Sequence, residues 1–332
     1  MTQHRAEPVT TTSAIVVAQA GGPEVLEIGE VSLAAPGPGQ VLLDISAAGV
    51  NFIDIYRRSG VYPMQFPHTP GSEGSGTVIA VGDEVSDVAV GDRVAWWDIP
   101  GSYAGAALGP ADRLIPVPEA VPLEQAAALA LQGLTAHYLA TDSYRISAGH
   151  VVLIHAGAGG AGLLLTQIAK IKGATVITTV STDAKAELST AAGSDHVLVG
   201  YDGFQERVLE LTDGAGVHAV YDGVGKDTFD ASLQSLARRG TLVLFGGSSG
   251  QVPPFDPQRL NSGGSLTLTR PTLVNFVATR AELLIRSAEV FGWVADGRLR
   301  VRIGGRYPLA DAATAQADLA GRRTTGKLLL LP

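Results

Sequence analysis

The 332-residue chain contains no cysteine. Disulfide bridges, thiolate metal ligands and a cysteine nucleophile are thereby excluded. Aromatic residues make up only 6% of the chain, and no block of lysine and arginine occurs; the formal net charge is −8. A nucleic-acid footprint needs clustered positive charge, so no nucleic-acid partner is expected. No apolar run approaches the roughly 20 residues needed to cross a bilayer, and no membrane partner is expected. Residues 1–13 are polar and lack the apolar stretch of a secretory signal, so a soluble cytoplasmic protein is the expectation. What is abundant is glycine, at 41 residues, and small apolar side chains, with 45% hydrophobic and 17% charged residues. Such a chain can bury a substantial core, and its length suggests about two domains.

Residues 1–12 read as a loose leader. From residue 13 to about 121, short strands alternate with Gly- and Pro-rich turns such as Pro36-Gly37-Pro38-Gly39. Strands are expected at 14–17, 41–48, 76–81, 93–96 and 112–117, a mostly β domain of barrel-like form. Residues 124–138 have helical periodicity. Beyond them, strands at 151–155, 174–180, 196–199, 218–222, 241–246 and 265–269 alternate with helices. This alternation predicts a parallel, doubly wound α/β sheet with helices on both faces. A helix over 280–295 and strands at 301–307 and 327–331 are expected to return to the first domain.

The most informative stretch is Val151-Val152-Leu153-Ile154-His155-Ala156-Gly157-Ala158-Gly159-Gly160-Ala161-Gly162. Gly157, Gly159 and Gly162 have the G-x-G-x-x-G spacing of a dinucleotide-binding turn, with an apolar strand before and a helix from Leu163 after. Glycines there allow a tight turn, close approach to a pyrophosphate and close helix–strand packing. The following helix N-terminus offers free N–H groups to the phosphates. A second apolar strand over 174–180 completes the β-α-β unit that the motif requires.

An NAD-selective site usually has a carboxylate at the end of the second strand, on the ribose 2′-hydroxyl. Here that strand ends Thr179-Val180-Ser181-Thr182. Ser181 can donate to a 2′-phosphate, and Lys185 one turn later supplies positive charge. Asp183 stands in the same loop, where it is expected to cap the helix beginning at Ala184. The contrast favours NADPH.

Three further segments belong with this turn: Gly49-Val50-Asn51-Phe52-Ile53-Asp54-Ile55-Tyr56, His68-Thr69-Pro70-Gly71-Ser72-Glu73-Gly74, and Leu131-Gln132-Gly133-Leu134-Thr135-Ala136-His137-Tyr138. So do Val220-Tyr221-Asp222-Gly223-Val224-Gly225, Phe245-Gly246-Gly247-Ser248-Ser249-Gly250 and Thr325-Gly326-Lys327. Together they resemble the medium-chain dehydrogenase/reductase superfamily, and most closely its zinc-free, zeta-crystallin-like quinone oxidoreductase branch. The resemblance runs from about residue 14 to the end.

It implies a GroES-like, mostly β catalytic domain (13–135 and 280–332) and a Rossmann domain (136–279). NADPH would lie in the cleft between them. Asn51 stands where the zinc-dependent relatives have a cysteine ligand. Glu73 survives with no cysteine to join it, and His68 reads as a packed or capping histidine, so no metal is expected. By resemblance, Asn51 and Thr135 would orient the nicotinamide or the substrate. Tyr56 and Tyr62 would line the pocket and hydrogen-bond a quinone oxygen, or else simply pack with their hydroxyls at the surface. Gly159, Gly160, Ala161 and Gly162 would hold the pyrophosphate. Ser181, Lys185 and Tyr201 would surround the 2′-phosphate and adenosine, and Phe245, Gly246, Gly247 and Ser248 the nicotinamide side. Phe52 and Tyr138 are further expected contacts. Lys327 would reach a phosphate or remain a solvated surface lysine. Gln132 is assigned no role.

The implied activity is zinc-independent hydride transfer from NADPH to a quinone. Reduction of the double bond of 2-alkenals or enoyl thioesters is the alternative, and NADPH binding without turnover is a third. A homodimer is expected through the last strand of the sheet, residues 265–269.

Overall fold

The computed structural model describes residues 8–332. It divides into two compact units: the chain up to Leu131 with Thr279–Ala295 and Val301–Pro332, and Gln132–Ala278 with Asp296–Arg300.

The first unit opens with a hairpin of β1 (Pro8–Val16) and β2 (Glu27–Ala34). The leader expected over residues 1–12 therefore differs from the structure at 8–12, which pair into β1; residues 1–7 lie outside the described residues. Next come β3 (Gln40–Val50), α1 (Phe52–Arg58), β4 (Gly74–Val81) and β5 (Arg93–Trp96). They are followed by β6 (Ala106–Pro110), β7 (Ile115–Pro116) and α2 (Leu123–Tyr138), within which the unit boundary falls. Trp96 is fully buried among Val41, Leu43, Val78 and Ile99, and its indole N–H donates to Ser102 Oγ at 2.8 Å. Both β2 and β6 escape sequence reading. Most of β2 is exposed or half-buried, and β6 (AALGP) has no hydrophobic alternation; its pairing with β3 makes it a strand.

The second unit consists of β8 (Val151–Ile154), α3 (Gly160–Ile171), β9 (Thr175–Val180), α4 (Asp183–Ala191) and β10 (His196–Val199). It continues with α5 (Phe204–Leu211), β11 (Val217–Asp222), α6 (Phe229–Gln234), β12 (Leu236–Leu244), α7 (Gln258–Ser262) and β13 (Thr267–Thr269). All strand pairs are parallel, in the order β10-β9-β8-β11-β12-β13. This is the strand order of the Rossmann fold, reversing direction between β8 and β11. Leu153, Ile177, Val220 and Leu242 are solvent-excluded from adjacent strands, as expected of strands covered on both faces.

The chain then returns to the first unit with α8 (Arg280–Ala295), β14 (Ile303–Pro308), α9 (Ala312–Ala320) and β15 (Lys327–Leu331). β15 pairs antiparallel with β3, Leu328 opposite Val50, and completes the sheet order β14-β15-β3-β4-β5-β7. This register sets Lys327 beside Asn51 across 276 residues of sequence. No helix of the described residues is long and apolar enough to cross a membrane.

Candidate active site

In a parallel sheet every strand C-terminus lies on one edge, so the segments leaving β8, β9, β10, β11 and β12 gather there. That edge collects Gly159, Gly160, Ala161 and Gly162 after β8, and Ser181 and Lys185 after β9. Tyr201 follows β10, and Phe245, Gly246, Gly247 and Ser248 follow β12.

α3 begins at Gly160, three residues before the expected start, with Gly159 at its N-cap and no capping side chain. Packing explains the early start. A Cβ on Gly162 would come within 2.3 Å of the Ala156 carbonyl oxygen, so the first turn seats directly on the backbone of the glycine loop. A Cβ on Gly157 would meet Thr178 and Ser189, at 2.7 and 2.8 Å. Ala156 itself has φ +53°, a left-handed conformation costly for a non-glycine residue. The N-terminal N–H groups of α3 are thus left without a capping side chain, framed by close-packed glycines.

At the tip of β9, Lys185 Nζ donates to Ser181 Oγ at 3.0 Å. The expected cap is corrected: α4 starts at Asp183, and Thr182 is its N-cap, its hydroxyl accepting from the Lys185 N–H at 3.4 Å. Asp183 is the first helical residue and exposed. A hydroxyl and an ammonium therefore stand together at the tip of β9, a donor pair of the kind that suits a phosphate. The residues present fit NADPH.

Three residues of this unit depart from their expected places or escaped notice. Tyr138 is 2% exposed, with its ring stacked on Phe276 at 4.3 Å, so it is closed to a cofactor. Burial raises its phenol pKa. Gln132, assigned no role, lies against the start of α3: its Oε1 is 1.9 Å from where a Gly160 Cβ would be and is buried without a partner. Asp222, at the end of β11, accepts from the N–H groups of Val224 and Gly225 at 2.8 and 2.9 Å and pins the next turn. Thr135 is half-buried on α2.

The first unit holds a separate polar constellation. Lys327, expected at a phosphate or in solvent, is in neither place. It is 1% exposed, and its ammonium donates to Asn51 Oδ1 at 2.6 Å and to Glu73 Oε2. The β15–β3 register, rather than any local sequence signal, causes this. Asn51 Nδ2 donates to Glu73 Oε2 at 2.8 Å, and the Leu131 N–H donates to Glu73 Oε1 at 2.6 Å. Three donors thus reach the two oxygens of Glu73, and both ends of the Asn51 amide are engaged within the protein, Nδ2 donating also to the Gly49 carbonyl at 3.3 Å. The expected use of that amide on nicotinamide or substrate competes with these partners. Gly49 is required beside the pair, since a Cβ there would fall 2.3 Å from Glu73 Oε2 and 2.8 Å from Lys327 Cε.

Asn51 precedes α1, and its backbone N–H donates to Asp54 Oδ2 at 2.9 Å. Tyr103 also donates to that oxygen, at 3.0 Å. Burial pushes the Asp54 pKa up to about 6, only partly offset by these two donors. Phe52 and Tyr56 follow on α1, with ring centroids 6.2 Å apart, and Tyr56 meets Tyr62 edge-on at 5.7 Å. Tyr62 is 43% exposed. His68 packs beside Phe66, its backbone paired with Val17, as its packed reading expects.

Comparison with known proteins matches the chain to two domain families. Residues 37–119 match the family described as alcohol dehydrogenase GroES-like domain, and residues 160–286 the zinc-binding dehydrogenase family. A quinone oxidoreductase of Pseudomonas aeruginosa is 45% identical, over 94% of this chain and 97% of that protein. The chain belongs to the quinone oxidoreductase family of the medium-chain dehydrogenase/reductase superfamily. A 2-haloacrylate reductase of Burkholderia is 40% identical, covering 96% of this chain and 98% of that one. A mycobacterial structure solved in complex with NADPH is 52% identical with a TM-score of 0.93, covering 97% of this chain and all of that one. Within this quinone oxidoreductase family member, the donor set at Asn51 and Glu73 does not fit a catalytic zinc: the sequence supplies no thiolate, and the one carboxylate already accepts from Asn51, Leu131 and the Lys327 ammonium.

Two outcomes follow from the buried polar groups. Lys327→Met leaves Glu73 buried with its charge uncompensated, and stability in chemical denaturation is expected to fall by about 3–5 kcal/mol. Lys327→Met/Glu73→Gln is expected to recover part of that loss; a single variant as stable as the parent contradicts the pairing. For Asp54, the folded-state pKa lies above the unfolded value of 3.8. Its contribution is therefore full below about pH 3.8 and lost as the pH rises through about 6, an effect of up to about 3 kcal/mol. Asp54→Asn is expected to remove this slope, and parallel stability–pH curves for parent and variant refute it.

Proposed function

We propose that the protein is an NADPH-dependent quinone oxidoreductase that transfers hydride without zinc. The observation that carries this reading is the meeting of an uncapped α3 N-terminus with the Ser181–Lys185 pair on one sheet edge. The glycine turn has donors for a pyrophosphate, and the pair has donors for a 2′-phosphate. Kinship with the Pseudomonas enzyme and with the NADPH-bound mycobacterial protein supports the same assignment. NADPH, when bound, supplies the hydride.

In this reading Gly159, Gly160, Ala161 and Gly162 bind the pyrophosphate through backbone N–H groups. Ser181 and Lys185 bind the 2′-phosphate, with Tyr201 against the adenosine and residues 245–248 on the nicotinamide side. Residues 13–135 and 280–332 act as the catalytic domain and residues 136–279 as the nucleotide-binding domain. Phe52, Tyr56, Tyr62 and Thr135 line and orient the acceptor. A tyrosine hydroxyl donates to the quinone oxygen as negative charge develops there, and water supplies the proton that completes the hydroquinone. Without a Lewis acid the acceptor must be electrophilic by itself. Quinones meet that condition, and so does an alkene conjugated to a carbonyl. The similarity to a 2-haloacrylate reductase favours the conjugated alkene as the second reading.

We also propose a soluble cytoplasmic homodimer. β13 has a partner on one side only among the described residues, so antiparallel pairing with a second β13 would continue the sheet. A monomer mass in light scattering refutes the dimer.

Mixing the protein with NADPH and a para-quinone is expected to bleach the nicotinamide absorbance. No turnover with any quinone, but turnover with a conjugated enal, selects the second reading. Lys185→Ala is expected to weaken NADPH by roughly tenfold or more while leaving NADH within about twofold, since one charge-assisted contact is lost. Equal losses for both refute the 2′-phosphate assignment.

A further inference from the structure

His155, immediately after β8 and before the glycine turn, is 1% exposed, and its ring lies 6.1 Å from that of Tyr201 after β10. Its side chain is fully engaged. Nδ1 lies 2.7 Å from Thr179 Oγ1, two residues before Ser181, and Nε2 lies 2.9 Å from Ser232 Oγ on α6. With Ser232 donating to Asp222 Oδ2 at 3.2 Å, its oxygen accepts from His155 Nε2–H, the tautomer this network favours. Nδ1 then accepts from the Thr179 hydroxyl. Burial favours the neutral ring, and Phe204 holds it edge-on at 4.8 Å.

The contacts run in one chain from Thr179 to His155, Ser232 and Asp222. Its two ends are the loops that matter. Thr179 holds the strand end carrying Ser181, and its carbonyl accepts from the Gly157 N–H at 2.9 Å. Asp222 pins Val224 and Gly225, while its carbonyl accepts from the Phe245 N–H at 2.9 Å and so ties in the turn at 245–248.

We propose that His155 is a positioning residue whose two ring nitrogens separately set the adenosine-side and nicotinamide-side turns in register with the glycine loop. This rests on the nucleotide reading above. The Nδ1 link to Thr179 governs the 2′-phosphate side, and the Nε2 link through Ser232 to Asp222 governs the nicotinamide side.

The two links can be cut one at a time. His155→Asn keeps an acceptor near Nδ1 and loses the reach to Ser232. His155→Gln keeps a donor near Nε2 and loses Thr179. Dissociation constants for NADPH and for adenosine 2′,5′-bisphosphate, which lacks the nicotinamide half, are measured by calorimetry on each intact variant. His155→Asn is expected to weaken NADPH about tenfold and the bisphosphate by less than about twofold, a coupling of ordinary size. His155→Gln is expected to weaken both about tenfold. Should a His155 variant fail to fold, Ser232→Ala and Thr179→Val cut the same links from the far side, and the same split is expected. Lower melting temperatures with unchanged affinities, or equal losses for both ligands in both variants, overturn the proposal and leave His155 a structural residue. A parent protein that binds neither ligand overturns the nucleotide reading, and this proposal with it.

Discussion

Parallel pairing is the constraint on which the nucleotide unit depends. Each parallel strand must return to the same end before the next can start, so all the segments leaving the strands share one edge. β8 pairs with both β9 and β11, and the strand order reverses at that point. The glycine turn, the Ser181–Lys185 pair and the Asp222 turn converge for this reason alone. Their chemistry is then set by what each lacks. The α3 N-terminus has no cap, the β9 tip has no carboxylate, and Gly157 and Gly162 have no side chain to hold the layers apart.

The first unit solves a different electrostatic problem. A buried carboxylate is costly unless it is paired and hydrogen-bonded, and Glu73 draws its donors from three separate segments: Asn51 after β3, Leu131 in α2 and Lys327 at the start of β15. The last β-strand is thereby fastened to the segment that begins α1. Asn51 and the aromatic residues that follow it owe their position to an ion pair built from opposite ends of the chain. Asp54, one turn on, is held by Tyr103 and the Asn51 N–H, and its raised pKa measures how dry that corner is.

Much of this was legible in the residues. The helix over 280–295 and the strands at 93–96 and 196–199 have the bounds the pattern predicts, because strong apolar periodicity and turn residues mark their ends. Strands lacking such marks were not legible. β6 is built of small residues with a terminal proline, and only the hydrogen bonds offered by β3 make it extended. Local capping rules also misled at Asp183, since Thr182, one residue earlier, was free to cap. Lys327 is the clearest case. Nothing near it in sequence distinguishes a surface lysine from one sealed against a glutamate 254 positions away.

The sequence by itself determined the class of chemistry. A chain with no cysteine has no thiolate to hold a metal, and an apolar strand running into a G-x-G-x-x-G turn, with a serine and lysine after the second strand, points to a nucleotide with an extra phosphate. These follow from residue types and short spacings, which act locally. Tertiary structure alone decided the partners of the buried polar groups: Lys327 with Glu73 and Asn51, Tyr138 with Phe276, and His155 between Thr179 and Ser232. Those partners are fixed by strand register and helix packing over long separations. The energy of a buried hydrogen bond or ion pair depends on distances of a few tenths of an ångström, which only the folded chain sets.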